Sequence, residues 1–146
     1  MTKKVWHTLL TKSKAESNKV SSEVKASKSQ LDVDVARGFR LDGLIEDYHS
    51  QLLKIQENPK STQEVQAIRS FISQVHQLKS KNIEQINTSK QRLVQARQKL
   101  SEAEKERLKF HNLLEKENEE KRKLQLKKEV RRVNEQATLQ FNLKKR

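Results

Sequence analysis

Apolar side chains recur along this chain at helical spacing, and in its second half they keep one register for many turns. With Ile72 placed at position a of a heptad, the a residues are Ile72, Lys79, Ile86, Leu93, Leu100, Arg107 and Leu114. The d residues are Val75, Asn82, Ser89, Ala96, Ala103 and Phe110. Five of the seven a positions are apolar, and two successive d positions are Ala, small enough for close helix approach. The N-terminal third has heptads of its own. Leu10, Val24, Leu31, Ile45 and Leu52 fall on a, and Val20, Leu41, Tyr48 and Ile55 on d. Ser17 and Gly38 break this a series, while Ser13, Ser27 and Asp34 weaken d, so the first seam is thinner and residues 1–20 are expected to fray in isolation. Both segments read as amphipathic α-helix.

One stretch is equipped to reverse the chain, Gln56 to Glu64. Pro59 cannot sit inside a helix without losing a backbone hydrogen bond, and it biases Asn58 away from helical angles. Ser61 then opens Ser-x-x-Glu, a capping box for the next helix. Gly38 and Gly43 have no such company, so the first helix is read as continuous. The expected layout is a single unit over residues 1–146, with helix one at about 3–56, a turn at about 57–61 and helix two at about 62–140. At 1.5 Å per residue the helices are roughly 80 and 118 Å long. A short link between two amphipathic helices predicts an all-α fold, an antiparallel two-helix coiled-coil hairpin whose C-terminal helix is longer and projects beyond its partner.

Composition narrows the alternatives. The 146 residues include 2 Gly, 1 Pro and no Cys, where average usage would put about 17 Gly and Pro together. A sandwich, barrel or βαβ fold lacks its turn residues here. Apolar residues make up 32% and charged residues 35%, too polar for a thick core and close to the signature of disorder. The sustained heptads argue for helices instead. Without Cys there is no disulfide framework and no thiolate metal site. The start, Met1 to His7, carries no apolar signal core, and no run is long enough to span a bilayer. The expectation is a soluble intracellular protein.

Charge is distributed unevenly. Residues 1–30 hold seven Lys and two Glu, a net +5, and residues 119–146 hold ten Lys and Arg against four Glu, a net +6. The 88 residues between carry fifteen basic and thirteen acidic side chains. In an antiparallel hairpin both basic segments lie towards the open end.

No catalytic constellation is apparent. His7, His49, His76 and His111 have neither i, i+4 pairing nor a Cys partner, so no metal or cofactor is expected. Two glycines cannot build a phosphate loop. Glu102, Glu104 and Glu106, and Glu115 with Glu119, sit beside Lys and Arg at the spacing of solvated ion pairs rather than acid–base dyads. A thin two-helix rod offers no concave pocket, and the chain is not expected to be an enzyme. Positive charge on a helix suits nucleic acid or an anionic membrane. Six aromatics are few for base stacking. The tract Lys121-Arg122-Lys123, Lys127-Lys128 and Arg131-Arg132 is interleaved with Leu124, Leu126, Val130 and Val133, which also suits docking into an acidic, partly apolar protein pocket. A further stripe, Phe71, Val75, Leu78 and Asn82, puts Val75 and Asn82 on the seam and Phe71 and Leu78 at the flanking g positions. It either widens the core near the turn or forms a helix-face docking site.

Over residues 40–140 the chain resembles the flagellar FliJ family, the coiled-coil component of the flagellar type III export apparatus. The resemblance rests on Leu44-Ile45 with Tyr48, then Phe71-Ile72-x-Gln74-Val75, Lys90-x-Arg92-Leu93 and Asn134-Glu135-x-Ala137, in that order and spacing. It implies a non-enzymatic stalk whose open end enters the ring of the export ATPase FliI and whose surface near the turn meets the export-gate protein FlhA. Export chaperones are a further class of partner, and nucleic acid is not. The implied place is the cytoplasm, peripheral to the inner membrane. By position the gate contacts fall on Tyr48, Phe71, Val75, Leu78 and Asn82, although Leu78 and Asn82 replace a small residue and a His common in the family. Ring contacts fall on Lys121, Arg122, Lys127, Lys128, Arg131 and Arg132. The stalk of a virulence type III secretion system shares this architecture. A basic coiled coil that binds nucleic acid is the alternative from another class, and a plain coiled-coil homodimer is the third.

Overall fold

The computed structural model describes residues 2–57 and 62–144, the side chains of 2–4 excepted. Two helices account for all of them, α1 at Thr2–Glu57 and α2 at Thr62–Lys144. The fold is the all-α antiparallel two-helix coiled-coil hairpin, with the second helix longer. Both helices run slightly past the expected ends, α2 by a full turn beyond residue 140. The turn itself, at 58–61, lies outside the described residues.

The chain divides into two compact units, each an α1 segment against an α2 segment: Lys19–Ser101, and Met1–Asn18 with Glu102–Arg146. In the first, Val20, Leu41, Ile72, Val75, Leu93 and Ala96 are buried. Its cross-helix bonds run antiparallel. Asp34 meets Ser89, Arg37 meets Gln85, Asp42 meets Lys79 and Tyr48 meets Phe71, the partner number falling as α1 advances. In the second unit Leu10, Ser13, Ser17 and Ala103 are buried. Ser17 donates to Glu104 at 3.1 Å, and Trp6 packs on Phe110 with ring centroids 6.2 Å apart.

Every a and d residue read from the heptads is buried or half-buried. The polar ones among them are not the breaks that the sequence suggests. Ser13, Ser17, Asp34 and Gly38 of α1, like Asn82 and Ser89 of α2, are as buried as the leucines. A two-helix seam is one side chain thick, so a small residue on one helix admits a bulkier or polar one from the other. Polar seam atoms then need partners, because an unpaired buried group costs about 1–3 kcal/mol. Ser13 donates to the Leu10 carbonyl at 2.9 Å, and Lys79, at an a position, pairs with Asp42 across the seam.

Candidate docking surfaces

Within Lys19–Ser101 the residues proposed for a gate contact divide into two kinds. Val75 is 7% exposed and Asn82 1%, and both point into the seam. Phe71 and Leu78, at g, are about half exposed, and Phe71 stacks on Tyr48 with centroids 5.8 Å apart and 16° between planes. The outward part of the stripe is therefore an aromatic pair plus Leu78. Leu44, quoted for the resemblance but not among the gate contacts, is 43% exposed and holds position g of the α1 heptad. Arg37, one heptad earlier, donates to Gln85, also at g, at 3.1 Å. The g positions of both helices thus share one flank, and Leu44 belongs to it with Phe71 and Leu78. The heptad assignment held that signal.

Beneath this flank lies a buried polar layer. The Asp34 carboxylate accepts from Ser89 Oγ at 2.5 Å and from Gln30 Nε2 at 3.1 Å, with Arg37 3.6 Å away. Asn82 Nδ2 donates to the Asp34 backbone carbonyl at 2.9 Å, while Asn82 Oδ1 is buried without a hydrogen-bond partner. The layer joins the two helices at one relative position, since a shift of either would strand Asp34 and Asn82 together.

In the other unit the basic residues expected to meet an ATPase ring, Lys121, Arg122, Lys127, Lys128, Arg131 and Arg132, are all exposed. So is every described residue from 118 to 144. The seam ends at Glu117, the last described residue of α2 that is not exposed. Just before that end, Arg107 donates to Glu104 at 2.9 Å. The Arg107 hydrogen bond, with that from Ser17 and the nearby guanidinium charge, holds the Glu104 carboxyl below the usual carboxylate range. His111 lies 3.2 Å from Glu115, an i, i+4 pair.

Among the described residues no group of three or more His, Cys, Asp or Glu could hold a metal ion. Open clefts do occur, which the picture of a featureless rod did not include. One follows α2 along Leu126, Val130, Asn134 and Leu139, and another is lined by Gln30, Asp34, Arg37 and Ser89. No described helix is long and apolar enough to cross a membrane.

The profile of a family described as flagellar FliJ protein matches residues 5–146. A solved structure of a putative YscO homologue from Chlamydia trachomatis is similar in fold, with a TM-score of 0.72 at 17% identity. The match covers 97% of this chain and 90% of that one. No curated protein matches the sequence.

Proposed function

Because the chain belongs to the flagellar FliJ protein family, we propose that it acts as a non-enzymatic stalk that couples an export ATPase ring to the membrane export gate. The observation that carries this reading is the basic, fully exposed run of α2 beyond residue 117, in the same unit as the basic start of α1. A helix with no partner along its last turns is free to enter a ring, and its charge steers it towards acidic walls.

The gate contact is proposed for the other unit, on the flank presenting Tyr48, Phe71 and Leu78. Val75 and Asn82 would support that surface from within the seam rather than touch the gate. Catalysis belongs to the ATPase, and the stalk favours one ring state by binding it better than the others. Export chaperones are further proposed partners. The fold shared with the YscO homologue keeps the stalk of a virulence secretion system as the second reading.

The test is ATP hydrolysis by the cognate flagellar ATPase, with and without this protein, at two salt concentrations. Stimulation that disappears when residues 119–146 are deleted supports the stalk and places the ring contact in the basic run. Absence of both stimulation and co-sedimentation with the ring removes the reading. Affinity for nucleic acid that falls steeply with salt would then take its place.

A further inference from the structure

Beyond residue 117 the apolar pattern of α2 changes sides. The seam positions of the next heptads, continued in register, are Lys121, Leu124, Lys128, Arg131 and Glu135, mostly charged. Apolar residues appear instead at Leu126, Val130, Val133 and Ala137, spaced i, i+4, i+7 and i+11. These are the f and c positions, which face away from the a/d seam. Leu126, Val130 and Val133 are 55%, 58% and 54% exposed. This stripe cannot be a leftover of the hairpin seam, because it lies on the wrong side of the helix to have met α1.

Its borders are mostly basic. Lys123 and Lys127 lie along one edge of the stripe and Arg122 along the other, and residues 121–146 contain only two acids, Glu129, at the Arg122 edge, and Glu135, on the seam side. Phe141, at the flanking g position like Lys127, is 60% exposed. Leu139, at e, stands on the other side of the helix. A ring pore surrounds a helix and rewards contact all round, whereas a stripe on one side fits a surface met from one side. An apolar line with cations along its edges is suited to a plane that is negatively charged outside and apolar beneath.

We infer that the outward stripe of α2, Leu126, Val130, Val133 and Ala137, lies on an anionic lipid surface, with Arg122, Lys123 and Lys127 at the headgroups. The long stems of those cations reach outward from the stripe while their charges stay in water. This contact goes beyond the ring contact, in which Arg122 and Lys127 also take part, by engaging the apolar stripe. Lying along a membrane and entering a ring are mutually exclusive for one segment, so lipid would hold the stalk at the membrane until a ring takes it.

The test is flotation of the full-length protein with vesicles of phosphatidylcholine alone or mixed with phosphatidylglycerol. Binding is expected with the anionic vesicles only, weakening as salt rises. A variant carrying Val130→Ser and Val133→Ser keeps the net charge and should lose about tenfold or more in partitioning, as two valines leave an apolar phase. Circular dichroism should be unchanged, since both positions are exposed. No binding to anionic vesicles overturns the inference. Equal binding by the Ser variant also overturns it, because attraction would then be by charge alone. A Ser variant that floats normally but no longer stimulates the ATPase assigns the stripe to the ring instead, with the same effect.

Discussion

Asn82 and Gly38 fit one another across the seam: a Cβ added to Gly38 would stand 2.7 Å from Asn82 Oδ1. The other end of the same amide donates to the Asp34 carbonyl, so the side chain is held and cannot swing clear. Neither glycine has a positive φ, and both sit within α1. Gly38 is there for space and not for backbone freedom. Asp34, Gly38, Asn82 and Ser89 form a polar layer whose hydrogen bonds are made at one register, with Asn82 Oδ1 left unpaired, and a single buried Asn sets the register of other coiled coils in the same way.

The two glycines of α1 should therefore respond oppositely to alanine. Gly43→Ala is expected to raise stability by about 0.5–1 kcal/mol, the usual gain in helix propensity, since its Cβ would meet nothing within 4 Å. Gly38→Ala should lower stability by about 1–3 kcal/mol despite the same gain, because the clash falls on a pinned side chain. Chemical denaturation of the two variants checks the signs. Equal stabilisation by both would remove the layer as a fitted feature.

Ser89→Ala takes the shortest hydrogen bond from a carboxylate that is 3% exposed. The expected loss is about 1.5–3 kcal/mol, the range for bonds to charged groups. Asp34→Ala combined with Ser89→Ala should cost less than the sum of the single changes, which a double-mutant cycle measures.

Register along α2 is tested by charge placement. Leu93→Lys puts an ammonium where a side chain is 6% exposed, and Leu108→Lys puts one where it is 55% exposed. The first should lower helicity and the thermal midpoint sharply, and the second should leave both nearly unchanged. Comparable effects would contradict the heptad assignment. Leu100→Lys, at a half-buried a position, should fall between them.

Phe71→Ala removes a ring stacked on Tyr48 at the surface. It should cost the fold about 0.5–1.5 kcal/mol, preserve helicity and weaken binding to the export gate. Val75→Ala, in the seam, should cost stability without changing the exposed face. A Phe71 variant that unfolds would make that ring core rather than docking surface.

Glu104 offers a pH handle. Its carboxyl titrates below the ordinary range in the folded chain, through hydrogen bonds from Arg107 and then Ser17. A lowered folded value means that the ion-paired form favours folding above the unfolded pKa, and that this contribution is lost as pH falls through the folded one. Following the Glu104 carboxyl carbon by NMR should show the low midpoint. Ser17→Ala should move it up in part, and Arg107→Gln should move it further.

Much of this architecture was legible in residue order alone. A repeat of 3.5 residues can be met only by helices that share a seam, so the a and d positions from Leu10 to Ile55 and from Ile72 to Leu114 could be named before any contact was known. Pro59 and the Ser61 box pointed to a break, which lies between the described helix ends at Glu57 and Thr62, and the clustering of Lys and Arg in residues 1–30 and 119–146 followed by counting. Periodicity says which side of a helix is buried, but it does not say what stands across from it. For that reason Ser17, Asp34 and Gly38 read as interruptions, and only the facing helix turns them into room for Asn82 and partners for Ser89 and Glu104. Periodicity did separate Val75 and Asn82, on the seam, from Phe71 and Leu78 at g, and left open only whether the g pair widens the core or faces out, which the tertiary structure decides by leaving both about half exposed. The end of the seam at Glu117 is marked in α2 itself, where the a and d positions turn mostly charged, but which side chains face one another before that point is decided by packing alone.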